Sequence, residues 1–494
     1  MKKLVALATA LALALGTVTT SLAAEATADP TLRAVCMVSA ENFDPLVSTM
    51  TDKLVNHALF DCLFKFESDG TVVPMLVDTY EQDGLEVTLH LRKDAVFSSG
   101  NPVTAKDVVF SYNQVLKDPT LRYNMTGISS GMEVVDDYTV ALHLNNDYDK
   151  WQNYLAELLY IVEEASYEEG KEYLTEAPVG SGPYTLVGID EAKTVTLKAN
   201  DNYWGGAPEF KTVEVCAAVD NATGLVALQT GEVDLLAQVG RDAYNQAAAD
   251  PNLKAIAFDG WQIMGIMNFV GDEAFRQAVF HGINRETILA ICNDGNGTPA
   301  ANMYSAKTMD RYLDKAPFTG YDPELAAECI AKSETDLSHT FTLSVMDADS
   351  AAVAQCVKAD LAALGINVDI SQTDANTFFA NLQSGNMEMG LLAMGTDMVS
   401  VEGMFSMFSP EQGYPFKNIT DDLVNKVETV PLIEDKEEHE AAVIDTLNQL
   451  AVECPWVPLY DNPMYAVHSN RVGNVNECGA ATYVYYFGDM TVEE

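Results

Sequence analysis

The sequence predicts a mixed α/β fold that is divided into more than one domain. Segments with the period-2 alternation of strands, such as residues 87–91, are interspersed with segments of helical spacing, such as residues 223–230. About 470 residues follow a removable N-terminal leader, which is more than one hydrophobic core usually organises. Hydrophobic residues make up 48% of the chain, so there is enough apolar surface for several cores.

The N-terminus has the composition of a secretory signal peptide, which we assign to residues 1–26. Lys2 and Lys3 are followed by an apolar stretch, and small residues precede a cleavage site after Ala23 or Ala26. We therefore expect a periplasmic or secreted protein. No cysteine stands at the cleavage site, so a lipid anchor is not expected. No later segment has the roughly 18 uninterrupted apolar residues of a membrane span.

Most charged residues of the chain are acidic, and this limits the kinds of molecule that the protein is expected to bind. The chain carries 73 Asp and Glu against 28 Lys and Arg, a formal net charge of −45. A field of this sign repels nucleic acid and anionic membrane surfaces, and it mildly favours cationic or zwitterionic ligands. We expect no nucleic-acid partner.

Neither the eight cysteines nor the seven histidines form a recognisable metal motif. No two cysteines have C-x-x-C spacing, which argues against a zinc ribbon or a thioredoxin-like site. An exported chain could pair some of the cysteines, but the pairing cannot be deduced from the sequence, and buried free thiols are an equal alternative. The histidines are scattered, and His439 lies in a charged stretch, residues 434–442, that we interpret as a solvated helix face. We expect no metal and no cofactor.

No local motif indicates catalysis. G-I-S-S-G at residues 127–131 fits the G-x-S-x-G pattern of hydrolases, but that pattern needs a strand before the serine and a helix after it. Here N-M-T precedes it and a strand-like segment follows. The chain also lacks H-E-x-x-H and phosphate-binding Gly-rich loops. The sequence therefore favours a protein that is not an enzyme, with an exported hydrolase as the alternative.

Period and turn residues predict the elements in the first part of the chain. Residues 53–66 have helical spacing, and residues 87–91 form a strand with alternate apolar positions. Thr104 is a natural N-cap, because Asp107 follows three residues later in the first helical turn. Residues 133–144 form a hairpin around two aspartates.

Turn residues then separate three further strands and a helix. The turn that precedes the first of these strands is indicated by Gly180, Gly182 and Pro183. The predicted strands are residues 184–187, 194–197 and 211–218, and the short helix at 223–230 precedes the buried strand G-E-V-D-L-L.

Several stretches, in order along the chain, resemble the signature segments of a known family. They are TVVPMLVDTYEQDGLEVTLHLRKDAVFSSGNPVTAKDVVFSY (71–112), GSGPY (180–184), NDNYWGGAP (200–208), ALQTGEVD (227–234), FRQAVFHGINRETIL (275–289) and CPWVPLYDNP (454–463). The chain thereby resembles the extracytoplasmic solute-binding proteins of peptide/nickel-type ABC importers. Asn284 stands where the family has Asp, and it can still cap the next helix.

The resemblance implies a two-lobed periplasmic-binding-protein fold with a discontinuous first lobe, an insert subdomain and the ligand cleft between the lobes. Lobe I would comprise residues 30–262 plus 468–494, with the insert subdomain at about 50–178, and lobe II residues 263–467. The crossovers would lie near residues 260–269 and 461–471, which are extended segments flanked by Gly or Pro.

The resemblance also indicates three segments that contact the ligand. They are the loop after the first strand, the first crossover, and the segment after a buried strand in lobe II. The predicted ligand-binding residues are Thr49, Met50, Thr51, Trp261, Met264, Met394, Asp397 and Met398. A packing role for Trp261 is an equal alternative.

Asp397 matches an aspartate that pairs with the peptide α-ammonium group in peptide-binding relatives, whose pattern is G-W-x-x-D-Y. A surface-loop carboxylate is the alternative. Met394 and Met398 replace the aromatic residues of that pattern, and no arginine accompanies the segment to hold a peptide carboxylate. The predicted site is Met-rich and adaptable.

The resemblance implies an exported receptor that captures a small solute and delivers it to an inner-membrane ABC permease. A di- or oligopeptide is the leading solute because peptides prevail in the family. Nickel chelates, oligosaccharides and opines stay open. We expect the receptor to be a monomer.

Overall fold

A computed structural model gives the fold of this chain. The described residues are 29–36, 42–47, 53–67, 70–118, 121, 125, 128–145, 150–171, 173, 176–217, 220–300, 302–305, 309, 312–316, 318, 320–395, 401–410, 413–475, 477–478 and 484–493; of residues 259–261, 395, 402 and 477–478 only the backbone is described.

The strands alternate with helices along most of the chain. They are β1 Thr31–Cys36, β2 Phe64–Phe66, β3 Val72–Pro74, β4 Val77–Asp83, β5 Glu86–Leu91, β6 Ser129–Asp136, β7 Thr139–Leu144, β8 Tyr184–Ile189, β9 Val195–Ala199, β10 Thr212–Ala217, β11 Leu235–Val239, β12 Leu253–Asn268, β13 Thr298–Pro299, β14 Thr340–Val345, β15 Asn367–Gln372, β16 Met389–Gly395, β17 Trp456–Ser469, β18 Val472–Gly473, β19 Glu477–Cys478, β20 Val484–Tyr485 and β21 Thr491–Val492.

The helices are mostly two to five turns long. They are α1 Lys53–Leu59, α2 Ala105–Val115, α3 Trp151–Glu157, α4 Asn221–Thr230, α5 Arg241–Ala248, α6 Glu273–Gly282, α7 Arg285–Cys292, α8 Pro323–Lys332, α9 Ala348–Ala363, α10 Ala375–Ser384, α11 Val401–Phe405, α12 Asp421–Thr429 and α13 Lys436–Glu453. No helix in the described part of the chain is long and apolar enough to cross a bilayer.

One sheet extends through both halves of the molecule. Its strand order is β15-β14-β16-β12-β17-β11-β1-β10-β9-β8, and β13 adds to β17. The long strands β12 and β17 lie in the middle and pair with each other along most of their length. We call the part with β8–β11 and β1 the first half, and the part with β14–β16 the second half.

A separate four-stranded antiparallel sheet, β4-β5-β7-β6, lies in the first half. The predicted strand at 87–91 is confirmed, with Val87, Leu89 and Leu91 buried. The predicted hairpin is confirmed as β6 and β7. Helix α2 begins at a capping box in which the Thr104 backbone N–H donates to the Asp107 carboxylate over 2.9 Å, as its sequence predicts.

Among the described residues, the buried apolar side chains form three clusters. One fills the first half and includes the small sheet. A second, centred on β12, β14, β16 and β17, fills the second half. A smaller cluster lies between α4, α5 and the main sheet of the first half. The two large clusters give a two-lobed α/β fold, because each half buries its own core.

Two local predictions are wrong. The helix expected over 53–66 ends at Leu59, because Phe64–Phe66 pairs with β3 as a strand. His439 was expected on a solvated face, yet its side chain is buried, on the same stripe of α13 as Val443 and Leu447.

The glycine-rich turn before β8 has a steric cause. A Cβ on Gly182 would lie 2.5 Å from the backbone carbon of Leu59, so the chain can pass the end of α1 only without a side chain there. The Gly182 backbone N–H donates to the Leu59 carbonyl over 3.1 Å. The motif G-S-G-P therefore serves packing.

Candidate functional site

The two central strands connect the halves and determine where a site can form. β11 of the first half pairs with β17 at residues 465–468, and β16 of the second half pairs with β12 at residues 262–268. β12 and β17 therefore belong to both halves. This is the arrangement expected of a two-strand hinge.

The hinge pair is irregular at its middle. Phe258 pairs with Met464 and Gln262 pairs with Asn462, so residues 259–261 of β12 face only Pro463 of β17. Proline has no backbone N–H to donate, and extra residues on one strand form a bulge that bends the ladder. The bulge lies between the parts of β12 that belong to each half.

The strand ends of the two halves converge on this bulge. The end of β11, Val239, lies opposite Tyr465, and the end of β16, Gly395, lies opposite Gln262. The pairing of β11, β17, β12 and β16 is antiparallel at each step, so the parallel strands of the two halves run in opposite directions. Their carboxyl ends consequently face one another, and such an edge is where open α/β sheets bind ligands.

Two amides bridge the hinge strands at the same level. Gln262 is 8% exposed, and its Oε1 accepts a hydrogen bond from Nδ2 of Asn462 over 3.2 Å. Both side chains lie on one face of the sheet, since the two residues are opposite each other in register. The amides have further donor and acceptor capacity that is available to polar groups of a ligand.

Arg241 is the first residue of α5 and approaches the second half. Its Nε lies 3.8 Å from Oδ2 of Asp294, which follows α7. Nε and Nη1 are buried and have no hydrogen-bond partner. Asp294 is thus within ion-pair distance of Nε but beyond hydrogen-bond distance, and the guanidinium keeps two N–H groups of the kind that bind carboxylates.

The backbone before Arg241 contacts the second half closely. A Cβ on Gly240 would lie 2.8 Å from Nδ2 of Asn221 and 3.3 Å from Oδ2 of Asp349, the second residue of α9. Burial raises the pKa of Asp349, the charge of Asp347 raises it further, and Arg241 lowers it. Arg241 thus stands between carboxylates of the second half.

The structure describes three of the eight predicted ligand-binding residues, one of them by its backbone alone. Met264 is 7% exposed and lies opposite Ala393 on one face of the sheet, whereas Met394 lies opposite Ile263 on the other face. The structure does not bring these two methionines together. The backbone of Trp261 lies in the hinge bulge.

The other predicted ligand-binding residues lie outside the described part of the chain. They are Thr49, Met50, Thr51, Asp397 and Met398. In sequence, Asp397 is two residues beyond the end of β16.

Several residues of the signature segments meet around a buried carboxylate. Nε1 of Trp204 donates to Asp61 over 2.7 Å, and the Tyr203 hydroxyl donates over 3.4 Å. The Arg92 guanidinium stacks on the Trp204 ring at 3.6 Å. Burial raises the pKa of Asp61 to about 7, although the bonds from Trp204 and Tyr203 lower it. The signature segments here stabilise the first half.

A second concave region lies at the far edge of the second half. It has a volume of about 500 Å³ and is lined by the residues just after β12, by β14 and by the loop before β16, including Phe269, Thr342 and Glu388, together with Lys417. This is the amino end of β16, opposite the edge where the two halves meet. It is therefore not the cleft.

The structure gives no support to a hydrolase site at residues 127–131. Ser129 begins β6 rather than following a strand, and its hydroxyl lies 3.2 Å from the Tyr112 hydroxyl. Within the described residues no three His, Cys, Asp or Glu side chains are grouped to hold a metal ion.

Sequence reasoning missed Arg241, Gln262 and Asn462. One signal was available for Arg241, which is the first charged residue after the buried strand of the G-E-V-D-L-L segment. The two amides carry no distinctive pattern, because their pairing depends on the register of strands 200 residues apart.

Comparison with known families agrees with this architecture. Residues 71–416 match the bacterial extracellular solute-binding proteins, family 5, middle region. The match spans more than half of the chain.

Several characterised proteins and solved structures are similar to this chain over most of their length. The glutathione-binding protein GsiB of Pectobacterium atrosepticum is 26% identical over 85% of this chain and 86% of its own. NikA from Brucella suis in complex with Fe(III)-EDTA has a TM-score of 0.77 at 23% identity, covering 94% of this chain and all of that one. DppA from Helicobacter pylori in complex with the peptide STSA has a TM-score of 0.77 at 22% identity, covering 94% and 98%. The two solved structures share the two-lobed periplasmic-binding-protein fold with this chain.

Proposed function

This chain belongs to the bacterial extracellular solute-binding proteins of family 5, and we propose that it captures a di- or oligopeptide between its two halves. Members of this family are extracytoplasmic binding proteins of ABC importers rather than enzymes, and they hand a small solute to the permease. The solute, the lobe boundaries and the residues that hold it are our proposal.

The observation that carries the peptide proposal is Arg241. Its buried Nε and Nη1 groups have no hydrogen-bond partner and lie where the strand ends of the two halves converge. A peptide carboxylate would give these donors the hydrogen-bond acceptors that Asp294, at ion-pair distance only, does not provide. The amide pair of Gln262 and Asn462 lies at the same edge and offers hydrogen bonds to a peptide backbone.

The ligands named for similar proteins support a peptide as the solute. GsiB is named for glutathione, a tripeptide, and the DppA structure holds the peptide STSA. These ligands share an α-ammonium group and a carboxylate. In this chain Asp397, two residues beyond β16, would bind the ammonium group and Arg241 the carboxylate.

We place the lobe boundaries as the sequence predicted. Lobe I is residues 30–262 plus 468–494, and lobe II is residues 263–467, with crossovers in β12 and β17. We further propose that residues 1–26 are removed on export and that the receptor is a monomer. Intact mass spectrometry of the secreted protein tests both the cleavage site and the absence of lipid.

A thermal-shift screen tests the proposed solute. Purified mature protein is heated with di-, tri- and tetrapeptides, with a nickel–histidine chelate, with oligosaccharides and with opines. A ligand at a hundred times its Kd stabilises the folded state by about 2.7 kcal/mol, which a melting curve resolves. Peptides should raise the melting temperature. If only a sugar or a metal chelate does so, the peptide proposal is wrong while family membership stands.

Asp397→Asn tests the ammonium anchor. A charge-assisted hydrogen bond contributes about 1.5–3 kcal/mol, and a buried unpaired ammonium costs roughly 3–5 kcal/mol. We expect about a hundredfold weaker peptide binding by calorimetry, with the melting temperature of the ligand-free protein nearly unchanged. Equal affinity of mutant and wild type would remove Asp397 from the site.

A further inference from the structure

Two cysteines of the second half lie in direct contact. Cys292 is the last residue of α7 and Cys356 is in the middle of α9, and their Sγ atoms are 3.7 Å apart. Both cysteine residues are partly exposed. A disulfide can form only between cysteines whose side chains face each other, as these two do. They are 64 residues apart in sequence, so the fold brings them together.

The cysteine pair lies close to Asp294 and Asp349, the carboxylates on either side of Arg241. Asp294 follows Cys292 by two residues, and Asp349 precedes Cys356 by seven, two turns earlier on α9. Arg241 influences Cys292 electrostatically, as does Asp349, so all of these groups are close in space. A bond between α7 and α9 would hold Asp294 and Asp349 at a fixed separation.

We propose that Cys292 and Cys356 form a disulfide in the exported protein, and that this bond fixes the part of the second half that faces Arg241. The proposal rests on the extracytoplasmic location that family membership gives, because disulfides persist in oxidising compartments. It does not depend on which solute is bound.

The oxidation needs a partner disulfide, either a low-molecular-weight disulfide such as oxidised glutathione or an exported thiol–disulfide oxidoreductase. One thiolate of the pair attacks a sulfur of the oxidant, and a mixed disulfide forms as the first oxidant thiol leaves. The second cysteine then attacks the mixed disulfide and releases the second oxidant thiol. The protein loses two electrons and two protons, and the oxidant gains them.

The environment of Cys292 determines how fast the reaction proceeds. Burial raises the pKa of the Cys292 thiol to about 12, and the contact with Cys356 adds to this. Thiolate at Cys292 is therefore scarce at neutral pH, and thiolate is the reactive form. Uncatalysed oxidation should accelerate as the pH rises from 7 to 9.

Peptide mapping tests the bond directly. The reduced mature protein is incubated with oxidised glutathione at pH 8, quenched by alkylation and digested with trypsin without reduction. Cleavage at Arg285, Lys307, Lys332 and Lys358 places each cysteine alone in its peptide, 286–307 and 333–358. We expect these two peptides to be linked and 2 Da lighter than their sum. Full alkylation of both cysteines after prolonged incubation, or linkage to a different cysteine, overturns the proposal.

A second readout follows the consequence for stability. A bond that closes a loop of this length should raise the melting temperature of the oxidised protein by a few degrees over that of the reduced protein. The double variant C292S/C356S should lose this redox dependence, whereas the control C329S, at a partly exposed cysteine of α8, should keep it. Redox-dependent melting that survives in C292S/C356S contradicts the proposal.

Discussion

Arg241 and Asp61 are both substantially buried charged groups, but their surroundings give them different roles. Asp61 accepts hydrogen bonds from Trp204 and Tyr203 within one half of the protein. Arg241 points from one half to the other and has two buried N–H groups without a hydrogen-bond acceptor, although Asp294 lies within ion-pair distance. A satisfied buried group stabilises one conformation, whereas an unsatisfied one at an edge between lobes indicates a missing partner.

Replacing Arg241 by glutamine should weaken binding of peptides with a free carboxylate by about ten- to a hundredfold, because a charge-assisted hydrogen bond contributes about 1.5–3 kcal/mol. Binding of the same peptide as its C-terminal amide should change little. Calorimetry on both peptides measures the difference. Arg33→Gln is the matched control, since Arg33 pairs with Glu214 at 3.0 Å within the first half. An equal loss for acid and amide would assign Arg241 a purely structural role.

Asp61 should make stability fall as the pH rises. Its pKa is raised by burial to about 7 from 3.8, so between these values the folded state holds a proton that the unfolded chain has lost. From pH 5 to pH 8 this contributes a decrease of about 2–3 kcal/mol in the free energy of unfolding. Asp61→Asn should abolish that decrease, and Asp78→Asn, on the exposed face of β4, should not.

Urea titrations at several pH values give the free energies for the three proteins. The quantity to compare is the difference in the free energy of unfolding between wild type and Asp61→Asn. The contributions of the other titrating groups cancel in that difference. If that difference is independent of pH, Asp61 does not bind its proton more tightly in the folded protein.

Among the elements, those with a clear period were predicted well and those that depend on distant partners were not. β5 shows strict alternation and was predicted correctly. The apolar run at 53–66 contains both α1 and β2, and a continuous apolar run does not distinguish helix from strand. His439 was misplaced because acidic neighbours concealed the buried stripe that it shares with Val443 and Leu447.

The start of α6 depends on one carboxylate that also holds the end of α8. Asp272 accepts hydrogen bonds from the backbone N–H of Phe275 over 2.8 Å, from the Ser333 hydroxyl over 2.8 Å and from the backbone N–H of Glu334 over 2.6 Å. Burial would raise the pKa of Asp272, but these bonds lower it below its ordinary value. Its contribution to stability is therefore present above about pH 4 and is lost as the pH falls through the lowered pKa.

Asp272→Ala should lower the free energy of unfolding by about 2–3 kcal/mol, since it removes a helix cap and two bonds to a second segment. Asp374→Ala is the control: Asp374 caps α10 through bonds to the first turn of its own helix, chiefly to Thr377, so its loss should cost about 1 kcal/mol. Urea denaturation followed by circular dichroism compares them. Equal losses would show that the bonds to residues 333 and 334 contribute nothing.

At the scale of the whole molecule, the ordered motifs indicated the fold more reliably than the site. Signature residues such as Arg92 and Trp204 pack around Asp61, so they report the architecture. The edge between the halves is built from residues far apart in sequence, such as Gln262 and Asn462. Which side chains meet there depends on strand register and the hinge bulge, which no local pattern encodes.

We expect the two halves to close on a peptide by bending at the β12–β17 pair. Closure should make the particle more compact, because hinge motion brings the two cores together around the ligand.

Small-angle X-ray scattering of the mature protein tests this closure directly. The protein is measured first without ligand and then with a saturating peptide from the thermal-shift screen. We expect a smaller radius of gyration with the free peptide and no change with the same peptide blocked at both termini. An unchanged radius of gyration with a peptide that calorimetry shows to be bound, or the same decrease with the blocked peptide, would contradict it.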